Sequence, residues 1–174
     1  MNPFYNKKKK GEFVDENKIE HKLLIQCKLS ITISNTDKEF KKTMDAAWFD
    51  FSKNNSFNRE NDKIALVTGG LSKAYDGLLE ILRDIHTEVS SDVFWEKYKG
   101  IGFSKAAKNK LDIVIESISQ ANNNVRPSED EIFAFLKIFY KLKSDLHEDV
   151  LARGGINLSL LQTELNNQMY SYVK

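Results

Sequence analysis

A single cysteine, Cys27, excludes an internal disulfide and makes a reducing compartment the simpler expectation. Histidine is nearly as scarce. His21, His86 and His147 are too scattered for the paired ligand spacing of a structural zinc site, and they read as surface or helix-flank residues. Only 2 prolines and 8 glycines occur, and no low-complexity tract follows Lys10, so nothing marks a flexible interdomain linker. No apolar run approaches the roughly 20 residues that cross a bilayer, and no apolar h-region follows the basic N-terminus. The expectation is a soluble, cytoplasmic protein with no membrane partner. Net charge is also lacking: 26 basic against 25 acidic residues leave a formal +1, so any attraction to a polyanion must come from a local patch. There is no G-x-S-x-G elbow. The segment Thr68-Gly69-Gly70-Leu71-Ser72-Lys73 lacks the G-x-x-x-x-G-K-[ST] spacing of a phosphate loop, which makes its glycines turn residues.

Apolar residues make up 41% of the chain, with 11 Phe, 6 Tyr and 2 Trp. That profile belongs to a packed domain, and a chain of this length buries roughly two-thirds of its unfolded surface. Trp48, Phe94, Trp95, Phe135 and Phe139 fall on apolar stripes and are expected in the core. Cys27 sits in an apolar alternation and reads as a small core residue. Lys7 to Lys10 form the one conspicuous charge run, expected within a solvated basic tail over residues 1–11.

From Leu23 to Ile33 the sequence alternates strictly. Leu23, Ile25, Cys27, Leu29, Ile31 and Ile33 share one face, and Gln26, Lys28, Ser30 and Thr32 share the other, as in a strand with one dry side. Thr36 and Glu39 offer a capping box, after which Phe40, Met44, Ala47, Trp48 and Phe51 mark a helical stripe. Lys63 to Thr68 is a short apolar run ending at glycine, the pattern of a buried strand. Strand, helix and strand in this order imply a parallel crossover.

Beyond Ser72 every pattern is helical. Tyr75, Leu78, Leu82, Ile85 and Val89 form a stripe, and Phe94 and Trp95 lie on a short segment from Asp92 to Tyr98. Ser104 caps a helix that points Leu111, Val114 and Ile118 inward. Ser128 and Glu131 open another, bearing Ile132, Phe135, Leu136, Phe139 and Leu142; Gly154-Gly155 stops it, and Leu158 to Tyr172 make a last amphipathic helix. The fold class is therefore α+β, mainly α. A small partial sheet with a β-α-β unit occupies residues 12–71, and about five helices follow over 72–174.

Chemistry points to one place. Glu12-Phe13-Val14-Asp15-Glu16 precedes a strand carrying Gln26-Cys27-Lys28, and alternate strand residues point the same way, so a carboxylate can converge with the Gln-x-Lys pair. Such a trio suits divalent-metal phosphodiester cleavage, in which the acid and an amide oxygen hold Mg²⁺ and the lysine stabilises charge or orients water. The same residues fit an ordinary solvated strand face.

Leu24 to Ser34, Glu39-Phe40, Ala47 to Phe51 and Asp62 to Gly69 together resemble the second half of a restriction-endonuclease-like, PD-(D/E)XK-type domain. The group in question is the Q-x-K variety fused to NTPases in bacterial antiphage systems. Gly102 to Lys105, Phe135 to Phe139 and Asp145-Leu146 resemble the helical connector behind that domain, so the likeness spans residues 12–165. It implies catalytic roles for Asp15, Gln26 and Lys28, with Asp15 and Gln26 as Mg²⁺ ligands and Glu12 and Glu16 as competitors for the acid. It also implies DNA as a partner and an endodeoxyribonuclease activity serving antiviral defence. Family members place a helix and a first strand before this motif, whereas about a dozen residues precede Glu12. The expectation is a truncated, split or degenerate relative, inactive alone or completed by a protein partner or self-association. The alternative is a non-catalytic helical module that docks a protein.

Overall fold

Parallel pairing of the segments around Cys27 and Val67 organises the fold. A computed structural model describes residues 8–14, 20–28, 31–68 and 76–143. In chain order these form β1 (Lys8–Val14), β2 (Glu20–Lys28), α1 (Lys38–Lys53), β3 (Lys63–Thr68), α2 (Asp76–Thr87), α3 (Ser91–Lys99), α4 (Lys105–Ala121), α5 (Glu129–Ile138) and β4 (Phe139–Lys143). The four strands make one sheet in the order β1-β2-β3-β4. β1 is antiparallel to β2, and β2, β3 and β4 run parallel. The layout is α+β and mainly helical, and it begins its parallel part with the expected strand-helix-strand unit.

Helix α1 buries Phe40, Met44, Ala47, Trp48 and Phe51, the stripe its spacing predicts. Its cap is Asp37, one position after the expected Thr36. The Asp37 carboxylate accepts from the backbone N–H groups of Glu39 (2.9 Å) and Phe40 (3.0 Å), and its other oxygen accepts from Thr32 N–H (2.7 Å). Asp37 thus ties the helix start to the chain that leads into it, a contact no local spacing reveals. Ser104 caps α4 through Ala107 N–H, and Ser128 with Glu131 forms a full capping box on α5, both as expected.

The core lies between the sheet and the helices. Leu24, Ile64, Leu66 and Phe139 from the strands join Phe40, Trp48, Leu82, Phe94, Trp95, Leu111, Ile118 and Phe135 in one buried cluster. α4 packs on both α1 and α2, and α5 packs on α2 and α3. Where α2 meets α4, a Cβ on Gly77 would stand 2.9 Å from the Ala106 carbonyl oxygen, so only glycine permits that approach.

Four expectations need correction. β2 ends at Lys28, and residues 31–33 are not strand, although Ile31 and Ile33 stay buried and Thr32 exposed. Among the described residues, pairing with β3 runs as far as Lys28–Thr68. Secondly, residues 139–143 form β4 instead of continuing the α5 stripe; Phe139 is buried either way, and β3 needs a partner for its open edge. Thirdly, β1 begins at Lys8, so part of the expected tail is strand. Lastly, α2 stops at Thr87, and Val89 is exposed. The expected Leu158 to Tyr172 helix, Tyr75, Gly69-Gly70, Gly154-Gly155 and His147 lie outside the described residues.

Candidate functional site

Strand register decides which face carries the Gln-x-Lys motif. Leu24, Gln26 and Lys28 stand opposite Ile64, Leu66 and Thr68 on β3, and Ile64 and Leu66 stand opposite Phe139 and Lys141 on β4. Neighbours in parallel register point to one side. Because Leu24, Ile64, Leu66 and Phe139 belong to the helix-packed core, Gln26 and Lys28 lie on the covered face. The wet face expected for them is corrected: Lys28 is only 7% exposed and Gln26 is half-buried. A parallel sheet is covered on both sides, and Leu23, Ile25, Ala65 and Val67 on the opposite face are buried too.

The carboxyl edge of this sheet is where apolar filling gives way to polar groups. Lys28 and Thr68 end β2 and β3, Lys141 lies two residues before the end of β4, and all three are buried. Across the sheet, one row of register positions reads Lys8, Gln26, Leu66, Lys141, and the next reads Lys28, Thr68, Lys143. With strands about 4.8 Å apart, each row spans on the order of 10–15 Å. Since β1 runs the other way, its lysine-rich start, Lys8 to Lys10, pairs toward this same edge, and Glu12 pairs with Lys22 further back. Sequence reasoning identified Gln26 and Lys28 but missed Thr68, Lys141 and Lys143. The available signal was Lys141-Leu142-Lys143 behind an apolar run, which repeats the polar-apolar-lysine ending of β2.

The acid that meets Lys28 is Glu39, in the first turn of α1. Lys28 Nζ donates to Glu39 Oε2 at 2.7 Å, and Lys42 Nζ reaches Oε1 at 3.2 Å. Hydrogen bonds from Lys28 and then Lys42 hold the Glu39 carboxyl below the usual carboxylate range. A buried ammonium is tolerable only when a counter-charge of this kind stands beside it. Glu39 itself is 43% exposed, against 7% for Lys28.

Asp15 and Glu16 lie outside the described residues. The last described residue of β1, Val14, is opposite Glu20, and Glu12 is opposite Lys22, about 13 Å along the strand from Gln26. Among the described residues, no group of three or more His, Cys, Asp or Glu could hold a metal ion. Both oxygens of Glu39 are engaged by lysines, so Glu39 and Gln26 do not by themselves fit the several oxygen ligands that Mg²⁺ requires. What the described residues bring together is a Lys28–Glu39–Lys42 ion-pair cluster at the start of α1, next to the strand ends where further lysine positions fall in register.

His86, expected at the surface, is largely covered. It stacks on Tyr140 with ring centroids 4.2 Å apart, and burial, then the nearby Lys137, push its imidazole down to about 4. Trp48, Phe94, Trp95, Phe135 and Phe139 are all buried, as core residues. No helix among the described residues is long and apolar enough to cross a membrane. No family model matches the chain, and neither does any curated protein or solved structure.

Proposed function

We propose that this chain is a nucleic-acid-directed module that engages the DNA backbone at the carboxyl edge of its sheet, as a degenerate relative of Mg²⁺-dependent endonucleases. The observation that carries this reading is the register that brings lysine positions 8, 28, 141 and 143 to one edge, around Gln26. A chain with a formal charge of only +1 has no general affinity for a polyanion, so a local concentration of lysine is the feature required. The strand-helix-strand order of β2, α1 and parallel β3 also agrees with the β-α-β unit expected of this region. Cleavage would need an acid beyond Glu39, and Asp15 is the candidate. Defence against mobile DNA and a cytoplasmic site of action belong to the same reading.

The test is duplex-DNA binding by fluorescence anisotropy across a salt series. Wild type should bind, with a log–log salt slope reduced by about 0.9 for each contacting lysine replaced in Lys8→Gln, Lys9→Gln and Lys10→Gln. A parallel supercoiled-plasmid assay with Mg²⁺ or Mn²⁺ compares wild type with Asp15→Ala and Lys28→Ala. Binding without cleavage by any of them places the chain with the degenerate relatives, and no binding at all removes the nucleic-acid reading in favour of a protein-docking module.

A further inference from the structure

Resting on that reading, we infer that Glu39 is an internal stand-in for a nucleic-acid phosphate: its carboxylate holds the anion position in front of Lys28 until a backbone phosphate displaces it. Four observations bear on this. Lys28 is almost fully buried while Glu39 is 43% exposed, so the carboxylate is the solvent-accessible half of the pair. One carboxylate serves two ammonium groups from different elements, Lys28 of β2 at 2.7 Å and Lys42 of α1 at 3.2 Å. The two ammonium groups and one carboxylate sum to +1, and a phosphodiester group in place of the carboxylate leaves that sum unchanged. The N–H groups of Glu39 and Phe40 at the helix start already donate to Asp37, so an anion beside Glu39 meets the ammonium groups and not those two amides.

Displacement needs no rearrangement of the fold. Glu39 is fixed to α1 by its backbone, where its carbonyl accepts from the Thr43 hydroxyl at 2.8 Å, and only its side chain has to swing into water. A solvated carboxylate is inexpensive, and both lysines regain a counter-charge from the phosphate. The device makes binding selective for polyanions. A single free anion trades one carboxylate for one phosphate with little gain, whereas a nucleic acid also engages the other lysine positions of the edge.

The experiment measures anisotropy of a labelled duplex from about 0.05 to about 0.2 M salt for wild type, Glu39→Gln and the double variant Lys28→Gln/Glu39→Gln. Glutamine keeps the shape and an acceptor for Lys28 but removes the competing charge. The expected result is several-fold tighter binding by Glu39→Gln, with a log–log slope steeper by about 0.9 or more, and loss of that gain in the double variant. A purely structural ion pair would lower the melting temperature of Glu39→Gln and leave affinity and slope unchanged. That outcome, or a gain that survives in the double variant, overturns the inference while leaving the nucleic-acid reading intact. Failure of all three proteins to bind overturns both.

Discussion

His86 on α2 lies flat against Tyr140 on β4, ring centroids 4.2 Å apart and planes 13° from parallel. The stack fastens β4 to α2. Its imidazole titrates near 4 because burial, and then Lys137, with Lys63 beyond, disfavour the cation, against an ordinary value of 6.5. The unfolded chain therefore binds a proton between about pH 6.5 and 4 that the folded chain refuses, and folding stability falls as pH drops through that window. Allowing for partial exposure of the ring, the loss is on the order of 2 kcal/mol. Urea unfolding of wild type and His86→Phe at pH 7 and at about pH 4.5 should show the difference between the two proteins shift in favour of the variant at the lower pH. An identical pH dependence would mean that His86 is not the group responsible.

Asp37 serves three backbone N–H groups at once. Asp37→Ala should cost about 1–2 kcal/mol in chemical denaturation, at or above the usual value of a helix cap, because the Thr32 amide loses its acceptor too. Thr36→Ala should stay within about 0.5 kcal/mol. Equal effects would restore Thr36 as the cap.

The α2–α4 crossing depends on the absence of a side chain at Gly77. A methyl group there would press on Ala106 backbone atoms at 2.9–3.0 Å, so Gly77→Ala should destabilise by about 1–3 kcal/mol despite its better helix propensity. A stabilised variant in a thermal melt would contradict this close approach.

Asn123 and Asn124 turn the chain between α4 and α5 with φ of 58° and 61°. Asparagine tolerates that conformation and β-branched residues do not. Replacing either with valine should cost about 1–2 kcal/mol, whereas Asn124→Gly should be neutral within about 0.5 kcal/mol, as read from denaturation midpoints.

Much of the fold was legible because it rests on local periodicity. The α1 stripe, the Ser104 and Ser128 caps and the Lys63–Thr68 strand all depend on residues within a turn or two of one another. β4 was not legible: a buried Phe139 satisfies a helical stripe and a strand equally, and only the unpaired edge of β3 selects the strand. The candidate site was half legible. Gln26 and Lys28 do share a face, but a period-two pattern says nothing about what covers that face, and the acid that meets Lys28 comes from a helix 11 residues on.

The amino-acid order, acting through short-range sterics and capping, determined which stretches coil, which extend and which side of each seeks the core. Assembly of the sheet decided everything that joins distant stretches: that an antiparallel first strand turns its lysine end toward the lysine ends of β2 and β4, that Glu39 lies over Lys28, and that His86 meets Tyr140. Those relations depend on hydrogen-bonded register between segments far apart along the chain, and register is set by the whole packed layer.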